Sequence, residues 1–188
     1  DDGFDFDVVI SGYGPAGQAA ASLLSRLGHR VCVFEKFPTL YGQPRLCTID
    51  GESARIVQQA GDVAHAFRES SWARRYDLYD GNENLLMTVD WSDLHIGGYP
   101  GRISFFQPDV EDAMDTAARE RGAEINQGWE VSAIAQDDDG VDVTAKVRDL
   151  GYGAAGGQER TVRARFLIGT DGARSFVRES LGIERKDF

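Results

Sequence analysis

The sequence predicts an α/β fold in which a parallel sheet is flanked by helices and carries an added β-meander. Two short apolar runs, Val8-Val9-Ile10 and Val31-Cys32-Val33-Phe34, read as buried parallel strands. Between them, Ala16, Ala20, Leu23, Leu24 and Leu27 recur at helical spacing. At the junction of the first run and this helix stands Gly12-Tyr13-Gly14-Pro15-Ala16-Gly17, a G-x-G-x-x-G turn. Strand, helix and strand within about 30 residues make a right-handed βαβ unit, the start of a Rossmann-like domain.

The remaining elements follow in order. Phe6 to Ser11 is the first strand, Pro15 to Leu27 the helix with Gly28 at its C-terminal end, and Val31 to Glu35 the second strand. Pro38, Gly42 and Pro44 predict a long irregular stretch, and a helix is expected from Asp50 to Gln59, stopped by Gly61. Tyr76–Tyr79 and Leu85–Val89 flank Asp80-Gly81-Asn82-Glu83-Asn84 as a hairpin. A loop from His95 to Gly101 precedes a strand, Ile103 to Phe106, and a helix opened by Pro108 and closed at Gly122. Strands are then expected at Ala123–Asn126, Trp129–Ala135, Val141–Val147 and Thr161–Ile168, with a glycine-rich hairpin tip at Gly151–Gly157 and a last helix over Ala173–Leu181.

Composition narrows the function. Of 188 residues 41% are hydrophobic, enough to bury a core, so disorder is excluded as an overall description. A net charge of -11 repels phosphate polymers and anionic lipid, so neither nucleic acid nor a membrane is an expected partner. Cys32 and Cys47 are too few for a disulfide framework or a four-thiolate zinc site, and reduced thiols in a cytoplasmic protein are expected. His29, His65 and His95 are scattered, with no ligand spacing, so no metal is expected. Trp72, Trp91 and Trp129 read as packing residues.

The glycine turn binds a diphosphate by a known logic. Its first glycine permits the tight bend, its second the approach of the ligand to the backbone, and its third the packing of helix on strand. The helix N-terminus then offers unpaired N–H groups and a positive dipole end to the anion. Glu35 stands 18 residues beyond Gly17 at the end of the second strand, near the spacing of about 20 at which a carboxylate accepts from a ribose hydroxyl. A carboxylate there also repels a 2′-phosphate, so the ligand is an adenosine diphosphate with an unmodified ribose, as in FAD or NAD.

Three later segments separate those two ligands: Gly42-Gln43-Pro44-Arg45 with Ile49-Asp50, Phe106-Gln107-Pro108-Asp109-Val110-Glu111, and Gly169-Thr170-Asp171-Gly172-Ala173-Arg174-Ser175. With the glycine turn, they make the chain similar to the FAD-dependent aromatic hydroxylases, single-component flavoprotein monooxygenases, nearest to the 3-(3-hydroxyphenyl)propionate, phenol and resorcinol hydroxylases. The resemblance covers essentially all 188 residues as the N-terminal part of a longer pattern. It implies a GR2-type FAD-binding domain, here incomplete: the family's substrate-binding sheet, second flavin motif and C-terminal region would follow.

The resemblance also implies the site. Gly12, Gly14, Pro15, Ala16, Gly17, Glu35 and Lys36 would hold the adenosine diphosphate end. Arg45 would meet the diphosphate or ribityl region, Gln107 the ribityl chain through its amide, the backbone near Val131 the adenine, and Asp171 the ribityl and diphosphate region. Asp50 would face the active-site region or cap the helix after it. The implied reaction is hydroxylation of a small phenolic substrate with NADH or NADPH and O2, by way of a flavin C4a-hydroperoxide, and a homodimer is an assembly the family allows. The sequence leaves other readings open: a non-catalytic nucleotide-binding fragment or one piece of an assembly, a flavin-dependent halogenase or another FAD oxidoreductase, and an NAD-dependent dehydrogenase, against which Arg45, Gln107 and Asp171 argue. It assigns no catalytic residue.

Overall fold

The computed structural model describes residues 3–93, 97–148 and 157–186. In chain order the elements begin with β1 (Phe6–Ser11), α1 (Pro15–Arg26), β2 (Val31–Glu35), β3 (Thr48–Ile49), α2 (Gly51–Ala60) and α3 (Val63–Ala66). Next come β4 (Ser71–Trp72), β5 (Arg75–Tyr79), β6 (Leu85–Asp90), β7 (Ile103–Ser104) and α4 (Gln107–Glu120). The last are β8 (Glu124–Gln127), β9 (Trp129–Gln136), β10 (Val141–Val147), β11 (Glu159–Gly169) and α5 (Phe176–Ser180). Two compact units form, Asp1–Gly42 with Asp115–Phe188, and Gln43–Met114.

The first unit is built on a six-stranded sheet in the order β8-β2-β1-β11-β10-β9. β8, β2, β1 and β11 pair in parallel, with Val9 opposite both Cys32 and Leu167. β9, β10 and β11 pair antiparallel as the expected meander. Both faces of the central strands are covered, which is why β1 and β2 are continuous apolar runs without alternation. One face gathers Val9, Cys32, Phe34, Val131, Val143 and Val162, and the other Val8, Ile10, Val31 and Val33 with Ala21, Ala118 and Ala123. Each such valine or isoleucine contributes about 1.5–3 kcal/mol by leaving water. Burial pushes the Cys32 thiol up to about 12, so this residue acts as a small hydrophobe.

The second unit holds a three-stranded sheet, β3-β7-β4, and a separate hairpin, β5-β6. In the sheet Ile103 pairs with both Ile49 and Trp72. At the hairpin turn the Asp80 carboxylate accepts from the Asn82 and Asn84 amides, each at 2.8 Å. Asp50 is the N-cap of α2 and accepts from the Ser53 amide at 2.7 Å, a bond that holds its carboxyl below the usual range.

Several expectations change in detail. Gln107, read as lying just before a helix, is the first residue of α4. α5 begins at Phe176 and not at Ala173, because the preceding residues form a loop that caps it. β3, β4 and α3 have no counterpart among the expected elements. The loop expected from His95 lies partly outside the described residues, and the glycine-rich tip from Gly151 almost wholly so.

Candidate functional site

The C-terminal ends of β1, β2 and β11 lie side by side in the first unit, and the glycine turn, Glu35 and Asp171 follow directly from them. Gly12 takes φ 97°, and a Cβ there would come within 2.6 Å of the Thr170 carbonyl oxygen. A Cβ on Gly17 would overlap the Gly12 carbonyl. Both glycines are therefore demanded by the protein's own packing. Gly14 is different: its φ of -74° suits any residue, and nothing lies within 4 Å of where its Cβ would be. The absence of a side chain leaves room directly before Pro15 and Ala16, the first turn of α1, and no side chain caps that helix. A cradle of this shape suits a diphosphate held by backbone N–H groups.

Thr170 staples the last strand to the turn. Its amide donates to the Ser11 carbonyl at 2.8 Å and its hydroxyl to the Gly12 carbonyl at 2.9 Å. The Glu35 carboxylate is likewise bound to the turn: Oε2 accepts from the Tyr13 amide at 2.6 Å and Oε1 from the Phe37 amide at 2.9 Å. A carboxylate offers about four lone-pair sites, so these two bonds aim the group and still leave acceptors for a hydroxyl. The neighbouring Lys36 places its ammonium 5.6 Å from the Phe37 ring centroid.

Tyr13 is anchored at its other end too. Its hydroxyl donates to Asp115 Oδ1 at 3.0 Å, and Arg119 Nε donates to both Asp115 oxygens at 3.0 Å. Arg119 Nη2 reaches Gln127 Oε1 at 3.3 Å, and Gln127 is the partner of Glu35 in the β2–β8 register. A closed ring of bonds thus runs from Glu35 through Tyr13, Asp115, Arg119 and Gln127 back to β2. Burial, with the Asp115 carboxylate beside it, pushes the Tyr13 phenol above its ordinary value, so it stays a donor.

Asp171 braces the start of α5. One carboxylate oxygen accepts from the Ser175 hydroxyl and the other from the Val177 amide at 3.1 Å, while Ser175 caps the Arg178 amide at 3.0 Å. Val131 sits in β9 with its side chain in the core cluster that includes Phe34, one residue before Glu35.

Arg45 and Gln107 both belong to the second unit and meet there. The Gln107 amide oxygen accepts from the backbone N–H groups of Arg45 at 2.8 Å and Leu46 at 2.7 Å. Its NH2 group donates to Glu111 Oε1 at 2.6 Å. Close by in sequence, Asp109 is buried and takes a two-pronged contact from Arg68, at 2.8 and 2.5 Å, which holds its carboxyl below the ordinary range.

The sequence reading passed over Tyr13, Asp115, Thr170 and Glu111. Tyr13, Thr170 and Glu111 lie inside the motifs, which give them no role, and for Thr170 the available signal is a hydroxyl directly after Gly169 at a strand end. The Tyr13–Asp115 contact spans 102 positions, a separation that no local pattern reports. Among the described residues no cluster of His, Cys, Asp and Glu could hold a metal ion, and no helix is long and apolar enough to cross a membrane.

The chain is similar in sequence and fold to known proteins. Over 97% of its length the chain is 31% identical to the "Probable NADH-specific resorcinol 4-hydroxylase" of Rhodococcus jostii (strain RHA1), of which it covers 33%. It is 34% identical, over 95% of its length, to the "3-(3-hydroxy-phenyl)propionate/3-hydroxycinnamic acid hydroxylase" of Comamonas testosteroni, covering 29% of that protein. The solved structure of p-nitrophenol 4-monooxygenase PnpA from Pseudomonas putida DLL-E4 superposes with a TM-score of 0.79 at 30% identity, over 94% of this chain and 43% of that one. The chain thus spans about a third of the length of the curated relatives it matches. The family described as "FAD binding domain" matches residues 5–188, and the chain belongs to it.

Proposed function

We propose that this chain holds the FAD of an enzyme that hydroxylates phenolic rings with NADH or NADPH and O2. The observation that carries the reading is Gly14, a glycine that neither its backbone angles nor its neighbours require, placed where the backbone must admit a ligand. In this reading Gly12, Gly14, Pro15, Ala16 and Gly17 present backbone amides to the diphosphate. Glu35, aimed by Tyr13 and Phe37, accepts from the ribose, and Lys36 lies beside it. Asp171 offers its remaining lone pairs to a hydroxyl of the cofactor, Arg45 its guanidinium to the diphosphate or ribityl region, and the Val131 backbone lines the adenine. Gln107 serves that contact by holding Arg45. FAD supplies the redox chemistry by which O2 hydroxylates the ring, and the chain's residues bind it, orient it and set its nucleotide specificity. The relatives named for resorcinol and for 3-(3-hydroxyphenyl)propionate point to a small phenol as substrate. The reading carries a cytoplasmic location, and a homodimer is its simplest assembly.

Replacing Gly14 tests it with two opposed signs. Gly14→Ser adds a favoured helix N-cap and so keeps or raises stability. The same Oγ fills the space left for the diphosphate, and FAD affinity, read by quenching of flavin fluorescence, should fall at least tenfold, roughly 1.4 kcal/mol. Unchanged affinity in the folded variant would remove the cradle. In the complete enzyme, resorcinol or 3-(3-hydroxyphenyl)propionate should stimulate NAD(P)H oxidation and appear as hydroxylated product. Oxidation indifferent to every phenol would overturn the substrate class and leave the cofactor site standing.

A further inference from the structure

Arg45 lies in an exposed stretch without helix or strand, residues 41–47, so something outside that stretch must fix its course. The Arg45 and Leu46 amides converge on one atom, Gln107 Oε1. Two N–H donors on one atom orient the amide without ambiguity, because an NH2 group cannot accept them. The Gln107 NH2 then points at Glu111, one helical turn further along α4, at 2.6 Å. Gln107 is 5% and Glu111 4% exposed. A carboxylate buried to that degree is costly unless it is hydrogen-bonded, and a leucine at this helix position would bury without the cost.

We propose that Glu111 is a positioning residue for the flavin nucleotide. Through Gln107 it locks the Arg45–Leu46 backbone and sets the direction in which Arg45 presents its guanidinium. Without Glu111, the Gln107 NH2 loses its acceptor, the amide turns, and the two backbone donors lose their common oxygen. The ligand in this inference is the FAD of the preceding section, while the clamp itself is a property of the chain alone.

Two readouts separate the clamp from the cofactor. In the first, without FAD, hydrogen exchange at the Arg45 and Leu46 amides should speed up at least tenfold in Glu111→Leu. Glu111→Gln keeps an acceptor oxygen and should retain the protection. In the second, FAD titration, Arg45→Ala should weaken binding about tenfold. Glu111→Leu should weaken it by a similar factor, and the double variant by no more than either single one, since both remove the same contact. Glu111→Gln should bind like the parent. If Glu111→Leu does not fold, Glu111→Asp, which withdraws the acceptor by one methylene, gives the same comparison. Unchanged exchange in folded Glu111→Leu, or in Glu111→Asp where that variant takes its place, overturns the clamp. Losses that multiply in the double variant overturn its link to Arg45. A parent chain that binds no FAD overturns the cofactor reading alone, and the exchange result still decides the clamp.

Discussion

Gln18 follows the glycine turn, in the first turns of α1, with 0% exposure and no hydrogen-bond partner for either its amide oxygen or its nitrogen. Leaving such a group dry and unpaired costs about 1–3 kcal/mol. With Ala21, Ser22 and Ser25 it forms a buried helical face that is largely polar, and Ser22 there meets Arg121 Nη1 at 2.5 Å. Neither the Gln18 amide nor the Ser25 hydroxyl on that face has a hydrogen-bond partner, and at position 18 a hydrocarbon of similar length does better. Gln18→Leu should raise the urea midpoint by an amount worth roughly 1–2 kcal/mol with the m-value unchanged. A lower midpoint would mean that the amide is held by a partner of its own, such as an internal water. The contrast with the glycines is instructive: Gly12 and Gly17 have their identity fixed by packing, whereas Gly14 and Gln18 oppose local stability or ignore it.

At the scale of elements, the β9–β10 turn shows how one carboxylate can organise a hairpin. Asp137 Oδ1 accepts from the Asp139 and Gly140 amides, each at 2.9 Å, and Arg163 on β11 grips both oxygens at 2.6 and 2.7 Å. The Arg163 bond first, then the two amides, lower this carboxyl to about 2 from an ordinary 3.8. Because the folded value is depressed, the turn's contribution is fully present above pH 3.8 and is lost as pH falls through about 2. Asp137→Asn, which cannot ionise, should flatten that part of the acid unfolding curve, and the Asp137 carboxyl carbon should titrate near 2 by NMR. A midpoint near 3.8 would show that Arg163 does not hold it. Patterns like this turn were legible: Asp-Asp-Asp-Gly between alternating strands is local chemistry, as are the βαβ unit and the meander. β3 and β4 were not, since two-residue strands exist only because Ile103 on β7 has a partner on each side. Nor were the bonds that the Gln107 amide oxygen accepts from Arg45 and Leu46, which lie about 60 positions upstream. A side chain bonded to the backbone of a distant loop leaves no trace in spacing.

For the molecule as a whole, a chain of net charge -11 that binds a dinucleotide anion poses a conflict of ranges. Backbone N–H groups and a helix start act over hydrogen-bond distances, and in a pocket they outweigh a diffuse field. The field still governs the approach. At 0.01 M salt it extends about 30 Å, and at physiological ionic strength about 8 Å, so salt removes repulsion before contact and alters little after it. The association rate of FAD should therefore rise with added NaCl, by about two- to fivefold between these conditions, while the dissociation rate stays nearly constant. Riboflavin, which carries no phosphate, serves as the control whose association salt should leave unmoved. Stopped-flow quenching of flavin fluorescence measures all three. An association rate that falls with salt would locate a cationic patch strong enough to steer FAD against the net charge, and Lys36 and Arg45 would be the first residues to neutralise in search of it.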